Sequence, residues 1–390
     1  MSLRGAAAIV GIGDTAVGKL PGWTATGLTV EAARLALADA ALDKSAIDGL
    51  VTCDSMVEPH MYHAELIAQT MRIRPRWCMT LSAGGATNFA AVHHAAAAIA
   101  TGQCTTVLIV SADVLRTGLT PERAQAQMSS TGDPDFEAPY GLPVPGSYAL
   151  VARAHMHAYG TTAEQLARVA VTTRAHAALN PAAEKRTPIT VDDVLASRMI
   201  ADPLHLLDCS LVSDGGSAVI VTAAERARDF PHPPVLLLGA GEGRSHEHVS
   251  QAPSLVTSAA RESGRRAYDM ARLGPADVDF AELYDCFTPV VLVELEDLGF
   301  CPKGEGGPFV ADGHTALGGS LPTNTHGGLL SHAHPGNPGS MFALTEAVRQ
   351  LRGDAGERQV RRAEIGLVHG QGGILSSHCT LVLGREVARS

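Results

Sequence analysis

Val278-Asp-Phe-Ala-Glu-Leu-Tyr-Asp-Cys-Phe-Thr-Pro289 reads as a short buried strand, Val278–Leu283, that runs directly into a helix, Pro289–Leu298. The segment Glu282–Thr288 between them sets Tyr284 at the strand's end. Side chains at strand ends commonly face the crevice of an α/β sheet, where ligands bind. Tyr284 is therefore a candidate for chemistry, although taken by itself a tyrosine here is more often a core residue whose hydroxyl finds an internal partner. Cys286 fits the core better than a nucleophile's position.

Working outward, strand Val235–Gly239 and a helix near Ser254–Ala271 precede this unit. A helix at Ser340–Leu351 and strands Ile365–Val368 and Cys379–Leu383 follow it. The first third has the same rhythm. An apolar run, Ala6–Ile12, leads to a helical pattern with Val30, Ala33, Leu37, Ala40 and Ala41 on one face, then to a second strand at Gly49–Cys53. A Gly-rich turn at Ala83–Ala86 opens a small-residue helix that ends near Gly102, and Thr106–Ala112 reads as a buried parallel strand. The expected architecture is a duplicated α/β unit, with two five-stranded halves face to face, because neither half could cover its sheet alone.

The boundaries follow. Residues 1–114 and 212–230 make the N-terminal half, and 231–390 the C-terminal half. Residues 115–211 are irregular and rich in Pro, Gly and His, with a helix near Ala163–Ala178, and form a loop domain that covers a site. A chain of 390 residues is long enough for two such cores. Its net charge of −10, without a basic stripe, disfavours nucleic acid as a partner. The longest apolar runs are of strand length, so no membrane span is expected. The start lacks the apolar stretch of a secretory signal, and seven cysteines (Cys53, Cys78, Cys104, Cys209, Cys286, Cys301, Cys379) are scattered with no C-x-x-C pair. Reduced thiols in a cytoplasmic protein are expected, and no metal site.

Asn324-Thr-His-Gly-Gly-Leu-Leu-Ser-His-Ala-His334-Pro-Gly-Asn-Pro-Gly339 carries the strongest site signal. Its glycines let backbone approach a ligand, and an imidazole, His334, stands ten residues after an amide, Asn324. Such a pair can stabilise the oxygen of a thioester enolate. A surface loop enriched in histidine has the same spelling. In His369-Gly-Gln-Gly-Gly373, the glycines Gly370, Gly372 and Gly373 could point N–H groups at an anion, and Ser82-Ala-Gly-Gly-Ala-Thr87 offers a helix start, as any helix would.

Together these segments resemble the thiolase superfamily, in particular its sterol-carrier-type thiolase and lipid-transfer branch, over essentially the whole chain. Tyr284-Asp-Cys-Phe is similar to that branch's His-Asp-Cys-Phe motif, His334-Pro to its Gly-His-Pro motif, and Gly370-Gln-Gly-Gly to its C-terminal glycine loop. The spacers Leu298–Gly306 and Asp214–Ala218 agree as well. The resemblance implies the thiolase fold: two similar mixed-sheet α/β halves in αβαβα layers, with an inserted loop domain. It also marks a departure. A thiolase takes its acyl group on a cysteine thiolate at the start of the Gly-rich helix, and that position falls on Gly85; Cys78 and Ser82 stand nearby. The second thiolase cysteine falls on Val368.

What remains is similar to the thiolase-fold aldolases that shorten steroid side chains, which carry Tyr-Asp before a helix and no nucleophilic cysteine, but are expected to have a second tyrosine where this chain has His334. The resemblance implies retro-aldol cleavage of a 3-hydroxyacyl-CoA, with Tyr284 as base and His334 and Asn324 as the oxyanion site. Gly85, Gly370, Gly372 and Gly373 would line the substrate pocket. Two alternatives stay open: an acetyl-CoA acetyltransferase or thiolase with an unrecognised nucleophile, and a non-catalytic CoA-ester-binding subunit. Coenzyme A enters as part of the substrate, with no permanently bound cofactor. The expected assembly is a homodimer, with a small OB-fold and zinc-ribbon partner that would complete a heterotetramer.

Overall fold

The computed structural model describes residues 2–129 and 131–385. Strand β1 (Ala7–Asp14) leads to helix α1 (Ala25–Asp39), whose N-terminus is capped by the Thr24 side chain accepting from the Gly27 N–H. The buried face of α1 is Ala25, Leu28, Thr29, Ala32, Ala33 and Ala36, whereas Val30 and Leu37 are half-buried and Ala41 lies beyond the helix. The sequence pattern favours the large residues, but packing selects the small ones. A Cβ at Gly13 would stand 2.7 Å from the Ala32 carbonyl oxygen, so strand and helix meet backbone to backbone.

The N-terminal half continues with β2 (Gly49–Cys53), α2 (His63–Met71), β3 (Trp77–Leu81), α3 (Thr87–Ala100) and β4 (Thr106–Val114). The segment expected to be irregular is largely helical: α4 (Leu115–Gly118), α5 (Pro121–Ser129), α6 (Val144–Tyr159), α7 (Ala163–Ala178) and α8 (Val191–Ala196), with a small ribbon of β5 (Met199–Ala201) and β6 (Leu204–His205). Strand β7 (Asp214–Ala223) then returns to the first half. The C-terminal half comprises β8 (Val235–Arg244), α9 (Ala260–Ala271), β9 (Phe280–Leu283), α10 (Thr288–Asp297), α11 (Gly306–Ala311), α12 (Gly339–Arg352), β10 (Ile365–Gly372) and β11 (Ser377–Gly384).

The strand order is β3-β2-β4-β7-β1-β8-β11-β10-β9. Two halves of mixed α/β structure are present, but only the first has five strands among the described residues. The second has four, and a single parallel bridge, Ala281↔Thr323, stands where the fifth would run. The halves join through two antiparallel pairs, Ala8↔Leu236 and Ile9↔Val235. Helices α3 and α12 lie between them and touch strands of both. Their small side chains share one core with Ile9, Val107 and Val221 of the first half and Val368, Leu381 and Leu383 of the second. Separate cores hold α1 and α2 outside the first half and α9 and α10 outside the second, which gives the αβαβα layering. Among the described residues no helix is long and apolar enough to cross a membrane.

Candidate active site

Tyr284 follows the last residue of β9, and its hydroxyl lies 3.1 Å from His334 Nε2, the rings meeting edge to face. The other ring nitrogen, His334 Nδ1, is 2.8 Å from Ser210 Oγ. Ser213 fixes the backbone on both sides: its Oγ accepts the His334 N–H, and its own N–H donates to the His334 carbonyl. Burial lowers the His334 pKa to about 4, so its imidazole is neutral near pH 7. Burial, followed by the nearby Cys286 and Asp285, holds the Tyr284 hydroxyl well above the ordinary tyrosine range. The resting pair is thus a neutral phenol against a neutral imidazole.

Gly85 lies against the Tyr284 ring. A Cβ on Gly85 would clash with both Cε2 and Cζ of that ring and stand 2.5 Å from the Gln371 carbonyl oxygen. The space that a side chain at position 85 would take is therefore filled by the tyrosine ring. Gly370 backs the same turn, where a Cβ would approach the Phe89 ring to 2.6 Å, and Gly84 and Gly372 meet backbone to backbone. Gly370 and Gly372 belong to β10 and pair with Cys379 and Ser377, so they admit the Ala83–Ala86 turn rather than form an open nest of N–H groups. Gly373, at φ +64, sits at the β10–β11 turn.

Asn324 adopts φ +56, a conformation asparagine tolerates, and its Oδ1 accepts the Leu283 N–H at 2.7 Å. That bond orients the amide and leaves Nδ2 as its donor. Asp285 is buried and accepts the Leu329 N–H at 2.7 Å, which anchors the π-helical turn Gly328–His332 just ahead of His334. Burial raises its carboxyl to about 6. Asn88, in the first turn of α3, donates to the Asn337 carbonyl and Ser340 Oγ and ties the starts of α3 and α12 together. The sequence-derived residues Gly85, Tyr284, His334 and Gly370 thus form one continuous contact chain, and Asn324 touches it through β9.

Four contributors escaped the sequence reading. Tyr148, from α6, stacks on Phe287, donates to the Gly373 carbonyl at 2.8 Å and lies 2.6 Å from Gln371 Nε2. Gln371 also reaches Cys286 Sγ at 3.2 Å. Ser210 and Ser213 complete the set. Gln371 stands inside the His369–Gly373 motif, whose glycines carry the signal, while isolated serines and a mid-helix tyrosine gain meaning only from what they meet. All seven cysteines are free, and burial pushes every thiol up, Cys78 to about 11, so no activated thiolate is available. A surface cavity of about 950 Å³ beside Arg228, Pro234 and Arg385 lies apart from these residues.

Residues 241–385 match the family model for a thiolase C-terminal domain-like region. A steroid side-chain-cleaving aldolase from Thermomonospora curvata is 42% identical over 90% of this chain and 91% of its own. The chain belongs to the thiolase superfamily. As a superfamily member it is also 41% identical to the 17-hydroxy-3-oxo-4-pregnene-20-carboxyl-CoA lyase of Mycobacterium tuberculosis, over 90% of this chain and 92% of that one. An acetyl-CoA acetyltransferase from Methanothermobacter thermautotrophicus is 35% identical over 94% and 96% of the two chains. The solved Ltp2-ChsH2(DUF35) aldolase superposes with a TM-score of 0.87 at 38% identity, covering 98% of each chain. The relatives thus carry the names of both reaction classes, carbon–carbon cleavage and acyl transfer.

Proposed function

We propose that this thiolase-fold enzyme cleaves a carbon–carbon bond of a 3-hydroxyacyl-CoA by a retro-aldol reaction. The carrying observation is the placement of the Tyr284 ring over Gly85, which leaves no thiol and no space for one, while the hydroxyl is hydrogen-bonded to a neutral imidazole at 3.1 Å. The β-hydroxyl proton passes to Tyr284 as the tyrosine's own proton passes to His334 Nε2. The Cα–Cβ bond breaks, its electron pair becomes the thioester enolate, and a ketone or aldehyde leaves. The enolate then takes a proton at Cα, returned from His334 through Tyr284, which gives the shortened acyl-CoA and restores both residues. His334 has both ring nitrogens engaged, which suits a proton acceptor for Tyr284, and Asn324 Nδ2 serves the enolate oxygen.

The substrate class is a branched or polycyclic acyl-CoA, supported by the steroid aldolase and carboxyl-CoA lyase relatives. The ChsH2(DUF35) component of the similar solved aldolase supports an accessory subunit, the expected small OB-fold and zinc-ribbon partner. The outer strand β3 offers an edge for a homodimer. We take residues 115–211 as the loop domain over the site, since Tyr148 and Ser210 reach in from it. A cytoplasmic location agrees with seven free cysteines.

The test is Tyr284→Phe, assayed for ketone or aldehyde release from a 3-hydroxyacyl-CoA with a tertiary hydroxyl, with the accessory subunit present. Loss of about 10²–10⁴-fold is expected with CoA-ester binding retained. Retention of more than about a tenth of the rate would make Tyr284 a packing residue, and a covalent acyl adduct on Cys78 or Ser82 after incubation with acetyl-CoA would return the enzyme to acyl transfer.

A further inference from the structure

Outside this site, three potential metal-ligand groups converge at the seam between the halves. His93 Nδ1 and His94 Nε2, on α3, each lie 3.0 Å from Glu242 Oε1 on β8. The three donor atoms all fall within 4.8 Å of one another. Successive helical residues point about 100° apart, so two adjacent imidazoles reach one point only by using different nitrogens, the near one of His93 and the far one of His94. Bonds of about 2.0–2.1 Å in a tetrahedral zinc site set donors about 3.3 Å apart, within a few tenths of an ångström of both separations. Arg244 Nη2 holds the other carboxylate oxygen at 3.0 Å, and Arg266 donates to the Glu242 carbonyl, an arrangement that fixes the direction of Oε1. A cavity of about 540 Å³, lined by His93, Glu242 and Asp269 together with Arg244 and Arg266, opens beside the cluster and gives solvent access to it.

We propose that His93, His94 and Glu242 bind one divalent zinc-class ion that clasps α3 to β8. Two imidazoles and one carboxylate suit zinc or cobalt(II) and not calcium or magnesium, which take oxygen ligands. Sequence spacing gives no hint of it, because Glu242 stands 148 residues after His94. The ion would be independent of the cleavage chemistry, as none of the three residues touches Tyr284 or His334 in any hydrogen bond or ring contact described above.

The experiment titrates the chelator-treated full-length chain with CoCl₂ and ZnCl₂. The visible d–d absorption of four-coordinate cobalt and calorimetry give the stoichiometry and affinity. One ion per chain is expected, with a zinc-dependent rise in Tm. Glu242→Gln should weaken binding at least tenfold and abolish the Tm rise. His94→Gln, a more exposed change, supplies the same reading if Glu242→Gln fails to fold. Absence of uptake, or equal affinity in wild type and both variants, meaning ions held elsewhere among the 17 histidines, would overturn the proposal.

Discussion

The outer edges of the two halves occupy the same place in the repeat and end differently. In the first half β3 pairs with β2 over five residues, from Gly49↔Trp77 to Cys53↔Leu81. In the second, residues 321–325 make one parallel bridge to β9: the Ala281 N–H donates to Pro322, and the Asn324 N–H donates to Ala281. The next rung is made by the Asn324 side chain, which accepts the Leu283 N–H in place of a backbone carbonyl. There the chain turns left-handed and departs toward the π-helical turn and His334. A regular edge serves pairing, while an edge broken after one rung frees an amide and sends an imidazole toward Tyr284.

The comparison breaks most severely at Gly85, where the first half meets the site. Gly85→Ala should displace the Tyr284 ring and lower cleavage by about 10²–10⁴-fold, as loss of the base would, with about 1–3 kcal/mol of destabilisation from overpacking; kinetics and denaturant melts measure both. Gly85→Cys alone should take no acyl group from acetyl-CoA. Combined with Tyr284→His, which clears the ring, it should show an acetyl mass gain. An adduct on the single variant would mean that the tyrosine does not fill the nucleophile's space.

The broken rung comes next. Asn324→Ala leaves the buried Leu283 N–H unpaired, a loss of about 1–3 kcal/mol, and removes the proposed enolate donor, for about 10²–10³-fold in rate. Asn324→Gly relieves the left-handed backbone but restores no acceptor. If glycine recovered the activity, the backbone conformation and not the amide would be what matters.

His334 gives a pH signature. Its folded pKa, about 4, lies below the ordinary 6.5, so the unfolded chain binds the extra proton first. Its contribution to stability is full above pH 6.5 and is lost as pH falls toward 4. By the same shift, the acid limb of the cleavage rate should bend near pH 4 to 5, and a limb centred at 6.5 would contradict a buried neutral imidazole. The smallest effect belongs to the regular edge. Thr80→Ala removes the acceptor of the Ala64 N–H and should cost only about 0.5–1.5 kcal/mol, with cleavage unchanged.

Sequence alone determined the duplicated strand and helix rhythm, the Gly-rich turn before α3, the placement of Tyr284 at a strand end, and the family to which these motifs point. These rest on local period and on short motifs, which neighbouring residues carry by themselves. The helical character of 115–211 was hidden by its Pro, Gly and His content, and the face of α1 by small residues whose burial depends on Gly13 beneath them. Only the tertiary structure decided that the C-terminal half has four strands and a single bridge among the described residues, that Tyr284 fills the space above Gly85, and that Ser210, Ser213, Tyr148 and Gln371 hold the site. Those contacts span tens to hundreds of residues, and no local pattern encodes which side chain will stand opposite which once the two halves close around two central helices.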